Sequence, residues 1–324
     1  MQLRFATANL FNYLAPPNAF YDFNNIYEAD QWEKKQQWLA RKLLKLDADV
    51  IGFQEIFSSE HLLSQLSELG YDHCAVVDKP KVSQNYIYSH PVVGIASRYP
   101  ITDVEAVTAQ APGTNAPFSF NRKPLRATVK HPSLGSIDIY VVHFKSQRPT
   151  LDSELNDAEP FTAWQQENFG RWLSTVQRGY EAHLLHNVIM ERKKATANPV
   201  ILMGDFNQLL TSQEFSSLRS THRFRQPDTY MPLLPYHLID SWELFCHNNT
   251  IARTPTHYTG ASGQVLDYIL LSSDFSDEAD HPIAKVIDYH VEDQHLVNPS
   301  FELDSFASDH AFVSVTVQCA KSHR

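Results

Sequence analysis

The stretch Asn198 to Asn207, NPVILMGDFN, decides how this chain is read. It opens on a turn signal, and Pro199 to Met203 is a short, almost wholly apolar run. Such a run predicts a strand buried on both faces. Gly204, Asp205, Phe206 and Asn207 stand where that strand ends. Glycine permits a sharp backbone turn there. Asp205 and Asn207 are two residues apart, so in extended geometry they point one way while Phe206 points into the core. A carboxylate beside a carboxamide at a strand end suits a metal, a phosphate or a reacting water. The same residues would also serve as an Asp/Asn turn that caps the next helix.

Working outward, other apolar runs end in polar residues too. Leu3 to Leu10 reads as a strand leading to Asn9, and a helix at Gln31 to Leu46 carries Leu39, Leu43 and Leu46 on one face. Val50 to Phe53 is a short buried strand with Glu55 at its end, followed by a helix at Ser59 to Leu69. Val92 to Ser97 is a strand, and Val104 to Thr108 is expected to pair with it. Leu125 to Lys130 and Ile137 to Val142 form a hairpin that ends in His143. The longest helical pattern runs from Phe161 to about Arg192. Its stripe of Trp172, Val176, Tyr180, Leu184 and Val188 is expected to be core, with Gly170 and Gly179 as weak points. A short helix is expected near Ile239 to Phe245. Asp267 lies in the strand Val265 to Leu271, and Ser308-Asp309-His310 leads into a last strand.

Composition narrows the function. The 324 residues are 43% hydrophobic, 12% aromatic and 20% charged, with no repeat and no Gly/Ser-rich linker, so one domain spanning 1–324 is expected. A formal net charge of -10 argues against a general nucleic-acid coating protein. Cys74, Cys246 and Cys319 form neither a disulfide framework nor a zinc spacing. No signal segment or membrane-crossing run is visible. The expectation is a cytoplasmic protein without stable membrane insertion.

Asn9, Glu55, His143, Asp205, Asn207, Asp267, Asp309 and His310 all interrupt the ends of apolar runs. Each alone has a dull explanation: a cap, a core histidine, an ion pair. Together they call for one, because an unpartnered buried polar group costs roughly 1–3 kcal/mol. A shared site at one edge of a sheet provides partners for all.

The blocks TANLFN, IGFQEI, GIASRYPI, VVHFKS, MGDFN, LDYILLS and SDHAFV, from Thr7 to Val313, resemble in order the endonuclease/exonuclease/phosphatase superfamily. Its members include pancreatic deoxyribonuclease, exonuclease III-like AP endonucleases, inositol polyphosphate 5-phosphatases and neutral sphingomyelinases. The resemblance implies a four-layer α/β sandwich, with two packed mixed β-sheets flanked by helices. It implies a metal-dependent phosphoesterase acting on a phosphodiester, with DNA, RNA or a nucleotide as the candidate substrates. Glu55 is then the principal metal carboxylate, with Asn9 beside it and Asp309 as a second or alternative ligand. Oxygen ligands suit Mg²⁺ or Mn²⁺. His310, oriented by Asp267, and Asp205 compete for the role of activating water. Asn207 and His143 are placed to donate to phosphoryl oxygens. Arg126 and Lys145 read either as phosphate clamps or as a solvated strand edge. The block GQVLDY has Val265 where many nucleases of the superfamily carry Arg, and no helix is studded with Arg and Lys. A phosphomonoesterase or lipid phosphodiesterase on the same fold is the alternative, favoured if aromatics are exposed in Asn12 to Tyr27 or Tyr230 to Tyr236. A catalytically inactive binding module would be expected to have lost Glu55, Asp205 or His310, and all three are present.

Overall fold

Alternation along each strand decides which side chains reach the middle of the molecule. The computed structural model describes residues 1–151, 159–246 and 251–320. One six-stranded sheet has the order Ala284–Glu292, Phe312–Cys319, Gln2–Tyr13, Val50–Ile56, Val92–Ser97, His73–Val76. The other has the order Leu238–Asp240, Asp267–Ser272, Val200–Asp205, Gly135–His143, Leu125–His131, Ile101–Ala106. Leu3 and Phe5 of the first sheet meet Val141, Met203 and Ile269 of the second in a shared core. The intervening positions point outward. Ala6, Ala8 and Ile51 pack under α1 (Ala29–Leu46) and α2 (Ser59–Glu68), through Trp38, Leu39, Leu43, Leu62 and Leu66. Tyr140, Val142 and Leu202 pack under α3 (Pro160–Thr196), through Ala182, Leu185 and Ile189. The layers therefore run helix, sheet, sheet, helix, the expected four-layer sandwich. Each fully buried Leu, Ile or Phe contributes about 1.5–3 kcal/mol.

Each sheet has one parallel pair at its centre, bridged by a helix. Gln2–Tyr13 runs parallel to Val50–Ile56 across α1, and Gly135–His143 runs parallel to Val200–Asp205 across α3. Parallel strands finish at the same edge, so Asn9 and Glu55 arrive together, as do His143 and Asp205. The start of α1 is fixed by a capping box, in which the Glu28 amide donates to Gln31 Oε1 at 3.0 Å. It stops at Asp47, which is left-handed at φ 43. The two sheets come close at Gly52, where a Cβ would lie 2.9 Å from Met203 Sδ.

Several expectations are corrected. The strand expected at Val104 to Thr108 spans Ile101–Ala106 and pairs with Leu125–His131 of the other sheet, not with Val92–Ser97. The turn through Pro100 carries the chain across. The helix expected from Ile239 begins as the edge strand Leu238–Asp240, and helix follows only at Ser241–Cys246.

The α3 stripe is core only in its second half, where Leu184 is buried and Val188 packs against the core. Trp172 and Tyr180 are 62% and 43% exposed, whereas Gly170, Ser174, Arg178, Ala182 and Ile189 are buried. Small residues dictate that docking face: Gly170 lets the Thr150 carbonyl come within 2.6 Å of where a Cβ would stand. The sequence from Ser146 to Pro160 reads as a long polar insertion, and residues 152–158 of it lie outside the described residues. Among the described residues, no helix is long and apolar enough to cross a membrane.

Candidate active site

The alternation that builds the shared core also delivers the site. Val141, Met203 and Ile269 face the opposite sheet. His143, Asp205 and Asp267 lie two residues from each of these along the same strands, so they share that face at the sheet's edge. His143 and Asp205 are in register, and Asp205 faces Asp267 across the next pair. Gly204 is held at φ +147 inside the strand, where a Cβ would stand 2.0 Å from the Val142 carbonyl oxygen. The expected sharp turn at Gly204 falls instead at Asn207, which is left-handed at φ 56. Phe206 is fully buried on the helix side, as expected. Glu55 breaks the alternation. Its φ of 62 and the register shift between Phe53 and Ile56 turn its carboxylate away from the position a regular strand would give it.

His310 is the hub. Its Nδ1 lies 2.8 Å from Asp267 Oδ2, which also accepts from Thr256 Oγ1 at 2.6 Å. Its Nε2 faces Asp205 Oδ2 at 3.9 Å. The same Asp205 oxygen is 3.4 Å from His143 Nε2 and accepts from Asn9 Nδ2 at 3.1 Å. Asn207 closes the turn, its amide donating to Asp205 Oδ1 at 2.7 Å and its Nδ2 to the Phe144 carbonyl at 3.0 Å. The Ser308 hydroxyl donates to the Asn9 carbonyl at 2.7 Å and accepts from the His310 amide at 3.0 Å, locking the two chain ends together.

Charge follows burial. Desolvation pushes Asp205 up to about 7; nearby Asp267 and Glu55 add to the rise, and His310 opposes it. Burial alone would lower His310, but the carboxylates of Asp267 and Asp205 outweigh it and hold the imidazole well above its usual range. Burial, together with Arg122 and His310, pushes His143 well down, so that ring is neutral. One cluster thus holds a cationic imidazole, a neutral one and a carboxyl group able to exchange a proton near neutrality.

A pocket of about 570 Å³ opens over this cluster, lined by Glu55, His143, Asp205, Asn207, Asp309 and His310, among others. Asn9 lies beneath it, fully buried. Its oxygen accepts from the Phe11 amide at 3.0 Å, while its nitrogen faces Asp205 and, at 3.5 Å, Glu55 Oε1. As placed, Asn9 offers a donor to the acids. Oxygen donors for a cation come instead from Glu55, whose Oε2 accepts from the Asn12 amide at 2.9 Å, and from two buried oxygens without partners among the described residues, Asn12 Oδ1 and Asp309 Oδ1. These orphaned oxygens fit a hard divalent cation. Two ligand-sized groups occur among the described residues, Asp205 with Asp267 and His310, and His257 with Asp309 and His310.

Of the sequence candidates, Asn9 and Asp267 stand behind the pocket wall within the cluster, and the two clamp candidates, Arg126 and Lys145, are absent from the wall as well. Arg126 is buried in a separate ion-pair network, donating to Asp103 at 2.7 Å and to Glu105 at 2.9 Å. It sits on a strand whose edge neighbour, Ile101–Ala106, is acidic, and those acids capture it. Lys145 Nζ turns back to the Arg148 carbonyl at 3.0 Å, behind the wall.

The guanidinium groups that do line the pocket are Arg122 and Arg148, with Tyr21 and Gln147 nearby. Arg122 donates to Asn121 Oδ1 and the Phe144 carbonyl, and its buried Nε has no partner. The segments bearing Arg122 and Lys145 are both anchored on buried Glu181, which accepts from the amides of Asn121 and Lys145 at 2.6 and 2.8 Å. Sequence reading also missed Thr256, Asn12 and His257. Asn12 was visible as the last residue of TANLFN, but Thr256 and His257 carry no local signal. The polar segment His281 to Ser305, whose composition suits a cleft-shaping insertion, supplies no lining residue among the described residues. The hairpin pairing His257–Thr259 with Ser262–Gln264 does.

Comparison with known proteins fits this geometry. The human nocturnin catalytic domain, solved with a bound sulfate anion, is 17% identical, with a TM-score of 0.59 over 98% of this chain and 95% of its own. ANGEL2, a 2',3'-cyclic phosphatase, is 13% identical, with a TM-score of 0.60 over 98% and 95%. An AP endonuclease from Archaeoglobus fulgidus is 15% identical, with a TM-score of 0.54 over 97% and 98%. At these identities the likeness is one of fold. No curated protein sequence matches significantly. The sequence profile described as Endonuclease/Exonuclease/phosphatase family matches residues 7–310, and the chain belongs to that family.

Proposed function

We propose that this protein hydrolyses a phosphodiester by in-line attack of water, with Mg²⁺ or Mn²⁺ bound in the pocket. The observation that supports it most is the proton-handling cluster Asp205–His310–Asp267 directly beside the orphaned oxygens of Asn12 and Asp309. Glu55, Asp309 and Asn12 would hold the cation. When bound, such an ion neutralises phosphoryl charge and acidifies water. Asp205 takes the proton of the attacking water, the role its raised pKa suits. His310, kept cationic by Asp267, stabilises charge building on the phosphoryl oxygens. Asn207 and neutral His143 complete the cradle, and Arg122 and Arg148 hold a further anionic part of the substrate.

The test is hydrolysis of bis-p-nitrophenyl phosphate against p-nitrophenyl phosphate, with Mg²⁺, with Mn²⁺ and with EDTA. Release from the diester that EDTA stops is the expected result. Faster release from the monoester would move the protein to the phosphatases.

A second reading has its own support. Tyr21, Phe23 and Ile26 are 43%, 58% and 39% exposed in the loop at the pocket rim, which favours a lipid phosphodiester presented at a membrane surface. Turnover of a phospholipid in vesicles, exceeding that of dinucleotides and falling on Phe23→Ser, would select this reading.

A further inference from the structure

A second cavity, of about 270 Å³, opens between α3 and the segment that follows Phe215, and it shares no lining residue with the catalytic pocket. Its wall is rich in imidazole. His183 and His186 stand one turn apart on α3, and His237 faces them from the end of the Leu234–Tyr236 turn. Three buried polar atoms of this wall have no partner among the described residues: His186 Nε2, His237 Nε2 and Ser217 Oγ. Both histidines are nearly inaccessible, at 5% and 4% exposure. Leaving such acceptors unsatisfied costs about 1–3 kcal/mol each, so their retention asks for a ligand.

The rings are prepared for one. On both rings Nε2 is buried and, among the described residues, without a hydrogen-bond partner. A neutral imidazole whose ring nitrogen has no other partner can present its lone pair to a metal ion. Burial pushes His186 down to about 4, so its ring is neutral at physiological pH. No carboxylate lines the cavity, which disfavours Mg²⁺ and Ca²⁺. Neutral imidazoles without carboxylates suit a borderline transition ion.

We infer that His183, His186 and His237 form a second metal site, for Zn²⁺ or a similar transition ion, that clamps α3 to the segment running from Phe215 to His237. The three nitrogens are not gathered within 4.8 Å of one another in the present arrangement. His186 and His237 are held by packing. His183 is exposed, pairs only with Asn187 at 3.2 Å among the described residues, and closes the site by turning its side chain inward.

The experiment is calorimetric titration of the 324-residue chain and of its Glu55→Gln variant with ZnCl₂ in millimolar Mg²⁺, repeated with Co²⁺ and read by visible absorption. One equivalent of uptake is expected, with a tetrahedral Co²⁺ spectrum. His186→Ala and His237→Ala each weaken it by about tenfold or more and leave diester hydrolysis unchanged. His183→Ala, at an exposed position where folding is not at stake, weakens it in the same direction. No stoichiometric uptake overturns the proposal, as does uptake indifferent to all three substitutions. Uptake abolished by Glu55→Gln also overturns it, by placing the ion in the catalytic pocket.

Discussion

The two parallel strand pairs do the same architectural job and end in different chemistry. The pair in the first sheet ends in Asn9 and Glu55, and the Glu55 carboxylate is reached only through a left-handed residue at the pocket floor. The pair in the second sheet ends in His143 and Asp205, in register on regular strand backbone and almost wholly buried. A half-open carboxylate with orphaned oxygens beside it suits an exchangeable hydrated cation. A sealed carboxylate between two imidazoles suits a proton. The difference teaches that burial, more than residue type, divides the labour between two acids in one pocket.

The sharpest way to break that division is to neutralise each acid in turn. Asp205→Asn should lower diester turnover by about 10³–10⁴-fold, the upper range for a positioned acid or base, yet leave Mn²⁺ binding nearly intact. Glu55→Gln should lower turnover comparably and lose Mn²⁺ binding, read by electron paramagnetic resonance. If both variants lose the ion alike, the two acids form one metal site and the contrast collapses.

A smaller effect is expected at Asp267, which stands behind the cluster. Asp267→Asn removes the nearest carboxylate that raises His310, so the His310 pKa falls. The limb of the pH–rate profile governed by His310 should move to lower pH, with turnover down by about a hundredfold. An unmoved limb would detach His310 from the reaction.

The smallest effects separate the two arginines. Arg122→Ala should raise KM about tenfold, as expected for one charge-assisted contact, with little change in stability. Arg126→Ala should leave kcat/KM unchanged and cost about 1–3 kcal/mol of stability, seen as a lower Tm. That cost is limited because Arg192 still pairs with Asp138 at 3.0 Å. The reverse pattern would restore Arg126 as the clamp.

The strand ends were legible because chemistry there interrupts an apolar run, and one polar residue in such a run stands out. Asn9, Glu55, His143, Asp205, Asp267 and His310 were all found that way. Arg126 was misplaced because Asp103 and Glu105 lie on a strand expected beside Val92–Ser97 that instead joins Arg126's own sheet, and no local pattern announces that crossing. Arg122 and Thr256 were missed because they lie in loops, where one polar residue among many gives no contrast. On α3 bulk marks burial at Leu184 and Val188 but not at Trp172 and Tyr180, where Gly170 and Ser174 mark the docking face by the absence of bulk.

Gly204 carries a last consequence. With a backbone carbonyl standing 2.0 Å from where a side chain would begin, the spacing between the strands that end in His143 and Asp205 is gauged by main chain against main chain. Such a gauge does not wear when the surrounding side chains change. The pocket walls, made of loops and the His257–Gln264 hairpin, can be refitted for new substrates while the reacting groups keep their separation. A fold built this way works as a fixed jig with interchangeable jaws, which suits a family whose members share one frame and cut different esters.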